Sequence, residues 1–191
     1  MANLDIPIVM AYNRVMINEI ARDITRCDKC PLCRTRNKAV PGEGRADAKI
    51  MIVGEAPGAV NDETGRPFVG HGGQILDKIL DRCGVRRADL FITNVIKCRP
   101  PENRKPTKKE IAACRQYLSR QIDSINPKLI IALGSVAFET ITGQTVRTKE
   151  NCGRVFDMGG RKVGLCIHPN ALRYVKGGLD SLAEQFSKVI C

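Results

Sequence analysis

Two groups of residues in this chain have types and spacings that can do chemistry. The first is a glycine-rich stretch, Gly54-Glu55-Ala56-Pro57-Gly58, which continues through Asn61 and Asp62 to Gly65-Arg66-Pro67-Phe68-Val69-Gly70. It brings a carboxylate, an acid–amide pair and an aromatic ring into one connection. Glycines allow a backbone to approach a ligand closely, and a helix that starts afterwards offers unpaired N–H groups to an anion. A glycine-rich turn on its own is also an ordinary strand-to-helix connection. The second group is drawn from nine cysteines. Cys27 and Cys30 form a C-x-x-C pair, Cys33 repeats the interval, and Cys98 and Cys114 lie far downstream. Two close thiolates with two distant ones make a tetrathiolate site for an iron–sulfur cluster or zinc, and soft thiolates favour both. The alternative for Cys98 and Cys114 is plain core packing. Cys83, Cys152, Cys166 and Cys191 follow no spacing rule, and Cys166 reads as core.

The elements that must position these residues alternate. Apolar runs predict strands over residues 49–53, 89–94, 129–133 and 163–167. Helical spacing predicts helices over 13–26, near 72–83, over 135–141 and over 179–190. Thr107 opens another helix, because Glu110 three residues on completes a capping box. Residues 37–48, the cradle stretch and residues 98–106 read as loops, and 143–160 as irregular. Strands alternating with helices imply a parallel sheet in an α/β sandwich. Ligands gather at the carboxyl ends of such strands, where Glu55, Asn94 and His168 fall. The length of 191 residues suits a single domain, 1–191, with 1–12 as a variable N-terminal extension.

The formal net charge is +11, from 31 Lys and Arg against 20 Asp and Glu. A surplus this large, spread along the chain, favours a polyanion, most simply nucleic acid. There is no apolar run long enough to span a bilayer and no signal-peptide pattern at the start, so a cytoplasmic protein is expected. Nine cysteines in that setting argue for a metal or cluster site rather than a disulfide scaffold.

Taken in order, the motifs resemble those of the family 4 uracil-DNA glycosylases, the iron–sulfur type of bacteria and archaea. The matching residues are Cys27-x-x-Cys30-x-Leu32 with Arg36, Val40-Pro41-Gly42-Glu43-Gly44, the two halves of the glycine-rich stretch, Thr93-Asn94-Val95-Ile96-Lys97-Cys98-Arg99-Pro100-Pro101 with Asn103-Arg104, then Cys114 and His168-Pro169. The resemblance implies a three-layer α/β/α sandwich around a four-stranded parallel sheet, and a structural [4Fe–4S] cluster held by Cys27, Cys30, Cys98 and Cys114, with Cys33 a bystander. It implies hydrolysis of the N-glycosidic bond of a uracil flipped out of single- or double-stranded DNA; a monomer is expected, and with no well-placed lysine nucleophile no strand cleavage is expected.

The resemblance also implies a role for each matching residue. Phe68 stacks on the base and Asn94 reads its edge. His168 steadies charge at O2. Glu55, with the backbone of Ala56, Pro57 and Gly58, positions the base and the attacking water. Arg99, Asn103, Arg104 and Arg173 meet DNA, and Leu172 is the wedge for the vacated gap. Asn61 departs from the family's usual acid, which puts a general base there in doubt and opens the alternatives of altered base specificity or a weak binder. A redox protein that uses only the cysteines is a further alternative. Residues 98–108 carry neither a histidine nor an insertion for covalent capture, so a turnover enzyme is expected.

Overall fold

The structure is a computed structural model that describes residues 6–190. Strand β2 (Ile50–Gly54) is its centre. Met51 and Val53 point to one face of the sheet and Ile52 to the other, the alternation a pleated strand imposes. The same division recurs in β4 (Leu129–Leu133), where Ile130 and Ala132 share a face with Met51 while Ile131 joins Ile52. Every residue of β4 is buried, as expected of a parallel strand covered on both sides.

On one face lie α1 (Ile6–Thr25) and α4 (Lys108–Ile125), which contribute Ile20, Ile24, Leu118 and Ile122 to the core. On the other lie α3 (His71–Arg82) and α7 (Gly178–Ile190), which contribute Leu76, Ile79, Leu182 and Phe186. Three layers result. Strands β3 (Phe91–Asn94) and β6 (Lys162–Cys166) complete the parallel set: β3 pairs with β2, β2 with β4, and β4 with β6.

The expectation of a four-stranded, wholly parallel sheet needs correcting. The sheet has six strands in the order β1-β3-β2-β4-β6-β5, and both edges are antiparallel. Strand β1 (Glu43–Gly44) is two residues long, and β5 (Arg154–Asp157) is largely exposed, so neither carries an apolar pattern. Residues 143–160 are therefore not irregular throughout; besides β5 they hold a single helical turn, α6 (Thr148–Asn151). The cradle likewise contains a helix, α2 (Ala59–Thr64), and α1 begins at Ile6, upstream of the residue 13 expected for it. Helix α5 (Ser135–Thr142) follows β4.

The capping box forms as the sequence predicts. The Glu110 backbone N–H donates to the Thr107 hydroxyl at 3.2 Å, and the Thr107 N–H donates to the Glu110 carboxylate at 2.7 Å. From β2 the chain crosses to β3 on one side and later to β4 on the other. The crevice beyond the carboxyl ends of β2 and β4 is thus the place where such a sheet receives a ligand. Among the described residues, no helix is long and apolar enough to cross a membrane.

Candidate active site and thiol recess

A deep recess opens at that crevice. Gly54, the last residue of β2, has no room for a side chain: a Cβ there would lie 2.4 Å from Asn94 Oδ1 and 2.6 Å from Phe68 Cζ. Asn94 and Phe68 therefore close over the same α-carbon. Asn94 ends β3 and is 1% exposed, and its Oδ1 has no hydrogen-bond partner. A buried acceptor left unpaired costs about 1–3 kcal/mol, so it calls for a donor supplied from outside the protein.

Phe68 adopts φ 51°, a left-handed conformation that is strained for a bulky residue. Strain of this kind, on the order of 1–3 kcal/mol, persists only where the surroundings enforce it. Here Arg87 does so. It donates to the Pro67 carbonyl at 2.8 Å while also pairing with Glu43 and Asp77. Gly73 completes the clamp, because a Cβ there would lie 1.8 Å from the Phe68 carbonyl oxygen. The Phe68 ring belongs to the core layer under α3, yet it also stacks on His168, with centroids 5.7 Å apart and planes at 29°.

His168 lies two residues beyond the end of β6. The Asn170 backbone N–H donates to its Nδ1 at 3.2 Å, which leaves the proton of the neutral ring on Nε2. The ring is enclosed by protein on most sides and open toward the recess. Burial lowers its pKa to about 4. Because the folded value lies below the unfolded one near 6.5, the neutral imidazole contributes stability above about pH 6.5 and loses it as pH falls toward 4.

Glu55 lines the recess with Ala56, Pro57 and Gly58. Burial raises its pKa, and Lys105 opposes that shift. Asn61 also lines the recess, but its amide is committed to the loop. Its Oδ1 accepts from the Gly58 N–H at 3.1 Å, and its Nδ2 donates to the Arg66 carbonyl at 2.8 Å. It holds the two ends of the α2 turn together and is not poised as a base. Asp62 is buried and accepts from the backbone and side-chain N–H groups of Asn37.

The residues expected at DNA are divided. Asn103, Arg104 and Arg173 line the recess, whereas Arg99 lies outside its lining and donates to Asn103 Oδ1 at 2.8 Å. Arg104 forms a two-pronged pair with Glu110, whose pKa it pulls to about 2. Leu172 is partly buried against the core layer of α3 and α7.

Lys97, absent from the expected site, is 1% exposed. Its ammonium donates to Thr93 Oγ1 at 2.6 Å, the Asn94 carbonyl at 2.7 Å and Gln121 Oε1 at 2.7 Å, tying the end of β3 to α4. Lys149 and Tyr174 on the recess rim are likewise new. A lysine or tyrosine reads as ordinary surface in a sequence, and nothing in the spacing marked these.

The chain also holds a second, smaller recess. Cys27, Cys30, Cys33, Cys98 and Cys114 line it together with Arg36, Lys97 and Tyr117. Arg36 donates to Cys98 Sγ at 3.1 Å, and the Lys97 backbone N–H donates to Cys114 Sγ at 3.3 Å. Burial raises the pKa of Cys114 to about 11 and also raises those of Cys30 and Cys98. Among the described residues, no group of His, Cys, Asp or Glu is gathered to hold a single metal ion.

The sequence profile of the uracil DNA glycosylase superfamily matches residues 41–190. The type-4 uracil-DNA glycosylase of Sulfurisphaera tokodaii is 51% identical over 185 residues, covering 91% of this chain and 83% of the relative. That of Pyrobaculum aerophilum is 50% identical over 157 residues, covering 78% and 80%. The type-5 uracil-DNA glycosylase of Pyrobaculum aerophilum is more distant, at 34% over 167 residues, 77% of this chain and 73% of the relative. The chain belongs to the type-4 uracil-DNA glycosylases of that superfamily.

The two hydrogen bonds of the Asn61 amide yield a prediction. Asn61→Asp keeps the acceptor for Gly58 but sets a carboxylate oxygen against the Arg66 carbonyl. We expect a loss of about 1 kcal/mol, a fall of about 2–4 °C in Tm by calorimetry. An unchanged or raised Tm would show that the amide donor is dispensable.

Proposed function

We propose that this protein is a monofunctional uracil-DNA glycosylase that hydrolyses the bond between uracil and deoxyribose and leaves an abasic site. The observation that carries this reading is the unpartnered, buried Asn94 Oδ1 beside an aromatic ring and an imidazole. Such an enzyme must draw its target base out of the stack. The base then lies against Phe68. Asn94 Oδ1 accepts from uracil N3–H while the amide nitrogen donates to O4. Cytosine offers an unprotonated N3 and an amino group, which oppose both partners. The exclusion is strong because the mismatch would leave the buried amide unpaired.

As the glycosidic bond lengthens, negative charge moves onto the uracil ring. The Nε2–H of His168 donates to O2 and steadies that charge. A neutral donor already fixed in place needs no reorganisation at the moment of reaction. The sugar carbon becomes cationic, so the attacking water needs orientation more than a strong base. Glu55 and the backbone at Ala56 supply it. Asn61 supports this loop and takes no proton. Asn103, Arg104 and Arg173 provide phosphate contacts, with Arg104 acting as part of a neutral pair with Glu110, and Arg99 orders Asn103.

For the thiol recess we propose a [4Fe–4S] cluster on Cys27, Cys30, Cys98 and Cys114. The donor set is soft, the thiols line one small recess, and hydrogen bonds reach two of the sulfurs, as suits a thiolate-held cluster. When bound, the cluster would supply a rigid cross-link between the end of α1 and the segment from Cys98 to Cys114. That segment carries Asn103 and Arg104 to the recess.

Release of free uracil from a uracil-containing oligonucleotide tests the activity. His168→Ala and Phe68→Ala should each lower kcat by about 10²–10³ with the fold retained by circular dichroism; wild-type rates in both would refute the site. Iron analysis tests the ligand set. Cys98→Ala should lose iron and visible absorbance while Cys33→Ala keeps both, and full iron in Cys98→Ala would strike that residue from the set.

A further inference from the structure

The short turn after His168 (Pro169–Tyr174) faces two ways at once. Leu172 turns inward, partly buried against the core between α3 and α7. Tyr174 turns outward and is 69% exposed, at the rim of the recess that holds Phe68, Asn94 and His168. The turn itself is anchored. Asn170 packs so closely on Gly72 that a Cβ at Gly72 would lie 2.2 Å from its Oδ1, and the Val175 N–H donates to the Leu172 carbonyl at 3.0 Å. The Arg173 guanidinium lies over the Tyr174 ring, 4.7 Å from its centroid, and Lys176 follows on the same rim.

A group that holds a duplex open behind an extruded base must project from a fixed support and present a flat apolar surface. It must also reach a polyanion without repelling it. Leu172 fails the first condition, because reaching DNA would pull it out of the core. Tyr174 meets each of them, and its attached guanidinium adds both charge and a second flat layer. A single exposed aromatic is common on protein surfaces. This one is singled out by its place, six residues after the imidazole and on the lip of the same recess.

We propose that Tyr174, and not Leu172, is the wedge that enters the gap left by the flipped base and stacks on its neighbours. The proposal rests on the glycosylase reading above. It separates strand types, because only a duplex has a gap and an opposing base to stack against.

The test compares uracil release from matched single- and double-stranded oligonucleotides, with 2-aminopurine beside the uracil to report unstacking by fluorescence. Tyr174→Ala should lower kcat/KM on the duplex roughly ten- to a hundred-fold, the size seen when a base-stacking aromatic is cut to alanine. On the single strand it should change kcat/KM less than about threefold, and the 2-aminopurine signal on the duplex should fall. Tyr174→Phe should restore both, since stacking needs the ring and not the hydroxyl. Leu172→Ala should lower Tm and keep the duplex-to-single-strand ratio. Equal losses on both strands, an undiminished duplex rate in Tyr174→Ala, or wild-type activity confined to single strands would each overturn the wedge alone. A wild-type protein that releases no uracil from either strand would overturn the glycosylase reading and the wedge with it.

Discussion

One hydrogen bond decides what the imidazole of His168 can be. With Nδ1 occupied by the Asn170 N–H and most of the ring enclosed by protein, the neutral form with its proton on Nε2 is the stable one. A charged histidine would give a stronger donor, but it would have to be paid for in desolvation before any substrate arrived. In the proposed reaction the neutral donor is already in place and responds only as charge develops on the leaving base. The stacked Phe68, the clamp on its backbone by Arg87 and Gly73, and the turn from Pro169 onward all keep that one N–H aimed into the recess.

Asn94 and His168 are supported from separate directions. Asn94 is fixed through its own carbonyl, which Lys97 holds from the side of α4, so its amide is free for a ligand while its backbone is not. Lys97 precedes Cys98 in the chain, and its backbone N–H reaches Cys114. The thiol recess and the Asn94 amide thus share one residue, and the same segment runs on to Asn103 and Arg104, which line the larger recess. Two recesses that look independent in the sequence are the two sides of one wall.

Much of this was legible beforehand, for physical reasons that differ by element. The buried strands show as apolar runs because both faces of the sheet are covered, and α4 shows at its first residue because Thr107 and Glu110 cap each other through their side chains. Glu55, Asn94 and His168 come together because each stands at the carboxyl end of a parallel strand, where the order of strands reverses. The edge strands β1 and β5 leave no such trace; one is too short and the other too exposed to need an apolar pattern. The task of Asn61 was hidden because its partners are backbone atoms of Gly58 and Arg66, which no residue type announces. Lys97 was hidden because a lysine is buried only where several acceptors converge, and that convergence is a property of the packed fold. The opposite facings of Leu172 and Tyr174 depend on a turn whose direction the sequence does not state.

The state of His168 is the point at which the whole account is most exposed. Nitrogen NMR of imidazole-labelled protein, followed from about pH 8 down to pH 4, reads the charge and the tautomer of that ring directly. The account predicts a neutral ring with its proton on Nε2 through the neutral range, protonated only near a pKa of about 4. A ring that titrates at the ordinary value near 6.5, or that carries its proton on Nδ1, would contradict it.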